Sequence, residues 1–433
     1  MSIVEKLIDV TKKPERAVTI AVFKKGGDRE MSYELFNELE LLAETAGAEV
    51  VESFHQELNR PIGATYIGKG KLAEIKEYAK ENKIVLAIFD DELSPVQIRN
   101  LEKELEIKVL DRSGLILDIF AQRAQTSEAK TQVELAQMQY LMPRLTRMWT
   151  HLSKQYGGGI GTRGPGETQI EVDRRLIRTR IERLKDKLKV IETQSDQKRR
   201  SRGNVPTFAL VGYTNAGKST LMKAITEADV YIENKLFATL DTTTRKFSLP
   251  SGQDSILSDT VGFIRKIPSH LVASFRSTLA EAREADFIIH VVDISHKYFA
   301  EHIKTVDTTL AKLKITDKPV LQVFNKIDLL DELEMVKVYQ DQYPDSIFVS
   351  ASKNMNIETL LNKFQELYDR SSNNFRIFLP YEQASLIQKL FALTEIVEQN
   401  DDDTGSYYNL KIQDENLFHF KNIFEQFIVE DEK

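Results

Sequence analysis

Apolar positions along the chain recur with two different periods, and the switch between them divides it into regions. Residues 17–23 form a short run rich in β-branched side chains, which predicts a strand. Residues 33–46 carry helical spacing, and residues 49–54 read as the next strand. Ile84-Val85-Leu86-Ala87-Ile88-Phe89-Asp90 is apolar up to its last residue, the pattern of a parallel strand buried on both faces. Ser94-Pro95 reads as an N-cap with proline at the first helical position and opens a helix to about Leu105. Residues 107–110 supply a further strand. This alternation predicts a small α/β domain with a mostly parallel sheet over residues 1–112. Within it, Gly68-Lys69-Gly70-Lys71 precedes a short helix and reads as a polar turn or, on a weak signal, as a phosphate or nucleotide site.

From residue 113 to 202 the period becomes helical. Leu135, Met138, Met142, Leu145, Trp149 and Leu152 recur at alternating steps of three and four, and Ile177, Ile181, Leu184, Leu188 and Ile191 do the same. Two such seams joined by a short loop predict an antiparallel helical hairpin, kinked at Pro143. Its remaining faces are basic: Arg144, Arg147 and Lys154 lie on the first helix, and Arg174, Arg175, Arg178, Arg180, Arg183, Lys185, Lys187 and Lys189 on the second. The joining loop, Gly157-Gly158-Gly159-Ile160-Gly161-Thr162-Arg163-Gly164-Pro165-Gly166, adds Arg163. A solvated face with local pairs to Glu182, Asp186 and Glu192 is the plainer reading. The sharper one makes Arg163, Arg174, Arg175 and Arg178 contacts to RNA, because such a hairpin concentrates positive potential where a phosphate backbone could dock.

After a polar linker over residues 194–204, α/β alternation resumes to residue 372. Residues 373–433 read as strand, helix, strand and helix, over 375–379, 383–393, 407–412 and 417–428. Asn400-Asp401-Asp402-Asp403-Thr404-Gly405 is an acidic turn whose spacing does not match a calcium loop. The expected fold class is therefore multidomain α/β. A small N-terminal α/β domain (1–112) and a long antiparallel helical hairpin with a glycine-rich loop (113–202) precede a central domain of mixed sheet flanked by helices (203–372) and a small C-terminal α/β domain (373–433).

Composition narrows the class. No apolar run approaches a bilayer span, and the first residues lack the basic region and long apolar stretch of a signal peptide. With no cysteine there is neither a disulfide nor a thiolate metal site, which suits a reducing cytosol. The expectation is a soluble cytoplasmic monomer, with peripheral membrane contact left open. The net charge of −7 means that any nucleic-acid contact must come from a local patch such as the hairpin.

The chemistry lies in the central domain. The apolar run Phe208-Ala209-Leu210-Val211 leads into Gly212-Tyr213-Thr214-Asn215-Ala216-Gly217-Lys218-Ser219-Thr220, which is G-x-x-x-x-G-K-[ST] between a strand and a helix. In that spacing backbone N–H groups cradle phosphate oxygens, Lys218 reaches the β- and γ-phosphates, and Ser219 is a Mg²⁺ ligand. Asp259-Thr260-Val261-Gly262 follows a strand, so that Asp259 could hold Mg²⁺ through water and the Gly262 N–H could sense a γ-phosphate. Between the two motifs, Phe237-Ala238-Thr239-Leu240-Asp241-Thr242-Thr243-Thr244 offers several hydroxyls, one of which would close over the metal and the γ-phosphate. Asn325-Lys326-Ile327-Asp328 selects guanine, since the Asp328 carboxylate accepts from the ring N–H and the exocyclic amine, whereas adenine presents a lone pair there. Ser350-Ala351-Ser352 can bring a backbone N–H to the guanine carbonyl. Four such motifs in order predict a GTPase that turns GTP into GDP.

Phe263 occupies the position after Asp-x-x-Gly where many GTPases carry glutamine, and it can neither donate nor accept a hydrogen bond. Unaided hydrolysis is therefore expected to be slow, with water positioned by Ile264-Arg265-Lys266, by a switch threonine or by a partner. Asn215 raises the further expectation of a K⁺ ion beside the phosphates.

With these residues in view, the chain resembles the HflX family of translational GTPases over nearly its whole length. The likeness rests on Leu110-Asp111-Arg112-Ser113-Gly114-Leu115-Ile116-Leu117-Asp118-Ile119-Phe120, on the segment GGGIGTRGPGETQIEVDRR over residues 157–175, on GYTNAGKST, and on DTVGFIRKIP. Thr242 departs from the proline common at that place in the family's switch motif; by position the resemblance makes Thr243 the Mg²⁺-sensing threonine. It also implies binding to the large ribosomal subunit, with the hairpin reaching ribosomal RNA, and the splitting of stalled ribosomes under stress. A GTP-regulated rRNA-binding assembly factor is the other reading.

Overall fold

The computed structural model describes residues 14–145, 169–200, 205–226, 236–237, 240–266, 280–315, 317–330 and 334–429. Trp149, Leu152, Thr239 and the glycine loop with Arg163 lie outside them. The chain forms two compact units. One comprises Met1–Ile191 together with Glu233–Asp241 and Ile264–Thr278; the other comprises Glu192–Ile232, Thr242–Phe263 and Leu279–Lys433.

The first unit opens with β1 (Glu15–Lys24), α1 (Arg29–Thr45), β2 (Ala48–Leu58), α2 (Lys69–Glu81), β3 (Leu86–Phe89), α3 (Pro95–Leu105) and β4 (Lys108–Asp111). The strands make an all-parallel sheet in the order β2-β1-β3-β4. All four residues of β3 are buried, as its continuous apolar run requires. Ser94 and Gln97 close a reciprocal capping box on α3, with Pro95 at its start. Gly68 is the N-cap residue of α2, and its N–H donates to Gln56 Oε1 at 2.8 Å, so this stretch is a turn and helix start.

The chain then runs directly from β4 into α4 (Arg112–Arg123), so the boundary expected after residue 112 falls one residue inside this helix. α5 (Ser127–Leu141) and α6 (Gln169–Arg200) follow. Leu135, Ile181 and Leu184 are buried together, with Met138, Met142, Ile177 and Leu188 half-buried against them, so the two helices share the expected apolar seam. At Pro143 the α geometry is interrupted: α5 ends at Leu141 and gives way to a 3-10 turn over Met142–Arg144, while residues 146–168 lie outside those described. Proline lacks the N–H that the next α-helical bond needs and disfavours α geometry in the residue before it.

One buried carboxylate fastens the helices to the sheet. Asp111, at the end of β4, is fully buried. Its Oδ1 accepts from the Gly114 N–H at 2.9 Å and from the Tyr140 hydroxyl at 2.7 Å. Its Oδ2 accepts from the Leu93 N–H at 3.0 Å and from Arg144 Nη2 at 3.2 Å. The start of α4, the end of α5 and the loop before α3 thus converge on one side chain.

The second unit contains β5 (Thr207–Gly212), α7 (Lys218–Thr226), β6 (Thr243–Ser248), β7 (Asp254–Asp259), α8 (Ala280–Glu284), β8 (Phe287–Asp293), α9 (Phe299–Lys312), β9 (Val320–Asn325), α10 (Glu334–Gln342), β10 (Ile347–Phe348) and α11 (Ile357–Arg370). The six strands lie in the order β10-β9-β8-β5-β7-β6, and only β6 is antiparallel to its neighbour. Phe208, Phe287 and Phe364 stack in the core. The carboxyl ends of β5, β7, β9 and β10 therefore face one edge, where open α/β sheets bind ligands.

The chain continues through β11 (Ser372–Pro380), α12 (Ile387–Leu393), β12 (Glu395–Asp402), β13 (Gly405–Gln413) and α13 (Asp414–Phe424), with an antiparallel sheet in the order β11-β13-β12. β12 corrects the expected order of strand, helix, strand and helix. Its polar edge sequence EIVEQNDD lacks a buried alternating face, so periodicity could not reveal it. The expected acidic turn is shorter than six residues, since Asn400, Asp401 and Asp402 pair with β13. Asp401 Oδ1 accepts from the Ser406 hydroxyl at 2.7 Å and from Gln399 Nε2 at 2.9 Å.

Replacing Asp111 by alanine would leave the Arg144 guanidinium and three neutral donors without their shared acceptor. Asp111→Ala is expected to destabilise the first unit by about 3–5 kcal/mol, read as a lower urea midpoint for that unit's transition.

Candidate functional site

β5 leaves the middle of its sheet at Gly212 and the chain re-enters helix at Lys218. Two glycines are required by close approach. A Cβ on Gly212 would lie 2.2 Å from the Val291 carbonyl oxygen, and one on Gly217, where φ is +89°, would lie 2.3 Å from Asn325 Nδ2. Asn215 is exposed at the tip of the loop with a left-handed φ of 61°. Lys218 folds back along the loop, donating from Nζ to the Tyr213 carbonyl at 3.0 Å and to the Gly212 carbonyl at 3.3 Å. Burial pushes its pKa down to about 8, against the opposing pull of the Asp259 carboxylate. Phosphate oxygens placed here would supply the anionic charge that the buried ammonium favours.

Asp259 ends β7 and is fully buried. Ser219 Oγ donates to its Oδ2 at 2.6 Å. Thr243 heads β6 directly opposite Asp259 in the antiparallel ladder, so the three residues expected to hold a metal are gathered at one end of the sheet. A hydroxyl and a carboxylate are hard oxygen donors that suit Mg²⁺. Among the described residues no cluster of three or more histidine or acidic side chains could hold a metal alone, so a cation here would need oxygens from a bound phosphate.

The loop after β7 is zipped to the phosphate loop. Thr260 Oγ1 donates to the Leu210 carbonyl at 2.7 Å, the Phe263 N–H to the Gly212 carbonyl at 3.0 Å, and the Thr214 N–H to the Phe263 carbonyl at 2.7 Å. Val261 is buried, and a Cβ on Gly262 would lie 3.0 Å from Lys218 Nζ, which puts this glycine beside the lysine. The Phe263 side chain is only 3 % exposed, so it serves as packing.

At the other end, Asn325 is spent on the protein's own loops. Its Nδ2 donates to the Ala216 carbonyl and its Oδ1 accepts from the Ala351 N–H, both at 3.0 Å. Lys326 takes a left-handed φ of 67° and pairs with Asp293 at 2.6 Å. Asp328 accepts from the Ser350 hydroxyl at 2.6 Å and from the Ser352 hydroxyl at 3.2 Å, which holds its carboxylate ready for a base with two adjacent N–H donors.

Of the basic hairpin residues, Arg174 is half-buried and Arg175 and Arg178 are exposed on α6; Arg163 lies outside the described residues. Arg180 pairs with Glu134 at 2.6 Å.

Two contacts have no signal in the sequence. Asp241 accepts from the Gln125 N–H at 2.8 Å, the Thr126 N–H at 3.3 Å and Thr126 Oγ1 at 2.5 Å, placing a carboxylate at the positive end of α5. Lys266, expected among the groups that could position water, instead pairs with Asp90 and, at 2.6 Å, with Asp91. Asp90 in turn holds Arg112 at 2.7 Å. Asp241 and Lys266 each lie more than a hundred residues from their partners in sequence, so no local spacing betrays these contacts.

Three family models match the chain: GTP-binding GTPase N-terminal over residues 33–121, GTP-binding GTPase Middle Region over 123–202, and 50S ribosome-binding GTPase over 207–326. A GTPase HflX of Flavobacterium psychrophilum is 54% identical over 319 residues, covering 74% of this chain and 77% of its own. Another, from Caldanaerobacter subterraneus subsp. tengcongensis, is 44% identical over 399 residues, covering 92% and 91%. Among solved structures, that of SsGBP with GDP aligns over 81% of this chain and 98% of its own, at 27% identity and a TM-score of 0.48.

Asp328→Asn presents a donor where guanine also donates, and is expected to weaken GDP binding at least about a hundredfold in a fluorescent-nucleotide titration, while xanthosine diphosphate gains affinity. Lys218 gives a second test. Bound phosphate favours its charged form, so GDP affinity should be full below its pKa of about 8 and fall about tenfold between pH 7 and pH 9.

Proposed function

The chain belongs to the HflX family of GTPases, and we propose that it is a ribosome-dependent member whose hydrolysis is slow until the large subunit is bound. In this reading Gly212–Thr220 cradles the phosphates, Lys218 neutralises the β- and γ-oxygens, and the Gly262 N–H meets the γ-phosphate. Asp328 reads guanine, while Asn325, with Ala351, keeps the base loop and phosphate loop in register. Ser219, Asp259 and Thr243 would hold Mg²⁺, which when bound offsets phosphate charge. Asn215, at the exposed tip, is the residue to which K⁺ stimulation would be traced; equal rates in K⁺ and Na⁺ would remove that assignment.

The buried Phe263 supports the need for a partner, because no side chain at that position can orient water. The single observation that carries the reading is the membership of the first unit. The described residues on either side of the switch threonine and the Asp-x-x-Gly loop, 236–237, 240–241 and 264–266, belong to the hairpin's unit. Asp241 caps the helix that opens the hairpin and lies two residues before Thr243. Docking of the hairpin's basic face on ribosomal RNA would thereby bias the switch, and a bound γ-phosphate would bias the hairpin. No helix among the described residues is long and apolar enough to cross a membrane.

Purified large subunits are expected to raise GTP turnover at least about tenfold over the free protein, and Asp241→Ala to lose most of that increment while keeping its GDP affinity. Turnover unchanged by large subunits would sink the proposal. Light scattering of intact ribosomes with a non-hydrolysable GTP analogue then separates the roles. A fall in scattering indicates splitting of ribosomes, and binding without a fall indicates an assembly factor that holds rRNA.

A further inference from the structure

We infer that His302 is a positioning residue for nucleotide binding, acting on the phosphate loop through Tyr213. The Tyr213 ring is buried and lies face to face with the His302 imidazole, with centroids 3.8 Å apart and planes 5° from parallel. His302 sits in the first turn of α9. The His296 ring centroid lies 4.3 Å from that of His302, and His296 Nδ1 accepts from the Tyr298 N–H at 3.1 Å, which fixes that ring. Three rings thus run from the loop ahead of α9 to the phosphate loop.

The residue they reach helps to aim Lys218. The Tyr213 carbonyl is the nearer of the two that accept from Lys218 Nζ, at 3.0 Å against 3.3 Å for Gly212. The backbone of Tyr213 also bridges that of Phe263, and the next N–H, on Thr214, donates to the Phe263 carbonyl at 2.7 Å. A tilt of this residue would therefore shift the lysine first, since the ladder to Phe263 runs through the Gly212 carbonyl and the Thr214 N–H rather than through groups of Tyr213 itself. α9 does not need His302 for its own packing, since Ile303, Val306 and Leu310 already bury its inner face. The stack instead bears on a residue whose carbonyl meets the lysine and whose neighbours on both sides meet the Asp-x-x-Gly loop.

The side chain of Lys218 contacts phosphate in the ground state and in the transition state alike. Loosening its aim weakens both equally, which raises Kd and KM and spares kcat. An aromatic stack contributes about 0.5–1.5 kcal/mol beyond burial, so the expected loss is about two- to tenfold in affinity.

The test uses the full-length protein with fluorescent GDP and multiple-turnover GTP hydrolysis. His302→Leu fills the volume without a ring, and His302→Phe keeps the ring without the imidazole. H302L should raise the GDP Kd and the GTP KM together, by about two- to tenfold, with kcat unchanged, and H302F should restore both. GDP binding by H302L equal to that of the parent, equal losses in H302L and H302F, or a loss confined to kcat would each overturn the assignment. Thermal unfolding of both variants accompanies these measurements, and a KM that rises only in proportion to a lost folded fraction also counts against it.

Discussion

The nucleotide site depends on one buried amide. Asn325 has a donor and an acceptor on the same planar group, and it uses the first on the Ala216 carbonyl of the phosphate loop and the second on the Ala351 N–H of the base loop. An aspartate could not donate to the carbonyl, and a leucine of similar volume could do neither, so only a carboxamide of this length joins the two loops at 3.0 Å each. Gly217 then has to lack a side chain, because the amide occupies the place of its Cβ. Asp328, three residues on, is held by Ser350 and Ser352 of that same base loop. The spacing between phosphate cradle and base carboxylate is thus set by the protein before nucleotide arrives, and less ordering has to be done on binding.

The same preorganisation leaves the site charged. Lys218 is an ammonium held largely by two carbonyl dipoles and lowered in pKa by burial, with Asp259 as the opposing influence. Such a group gains strongly from a polyphosphate, which favours tight binding. The position after Gly262 is filled by a buried phenylalanine, and Lys266 just beyond is engaged by two carboxylates despite a burial that alone would lower its pKa. The groups that gather for nucleotide lie within the second unit, whereas Asp241 and Lys266, which flank the switch residues in sequence, belong to the first.

How much of this the sequence discloses depends on range. The phosphate loop, the Asp-x-x-Gly motif and Asn325 to Asp328 were legible because each is a short run at a strand end, where backbone geometry restricts residue type over a few positions. The buried strand β3 and the capping box of Ser94 were legible for the same reason. Strand β12 was not, since an exposed polar edge strand has no buried face to give it a period. Pro143 was legible as a disruption, because proline cannot supply the N–H of the next α-helical bond. Asp111, Asp241 and Lys266 are illegible as a class. Each is an ordinary charged residue whose partners are brought to it by the fold from distant parts of the chain. The Tyr213–His302 stack is of the same kind.

Magnitude limits what these long-range contacts can transmit. If hairpin docking changes the preference of the switch segments, linkage requires that nucleotide change the affinity of docking by the same factor. The carrier on one side is the carboxylate of Asp241 at the start of α5. A capping interaction of this kind is worth about 1–2 kcal/mol, so alone it can couple the two sites by a factor of about 5 to 30. The pairing of Lys266 with Asp90 and Asp91 adds a second carrier, partly buried and continuous with the Arg112 pair at the head of α4. Both carriers end on helices that Asp111 fastens to the sheet, α5 through Tyr140 and α4 through the Gly114 N–H. A coupling larger than a cap can carry therefore requires the two contacts to yield together. Asp111 joins the far end of α5, at Tyr140, to the head of α4, so a displacement of either helix is felt by the other.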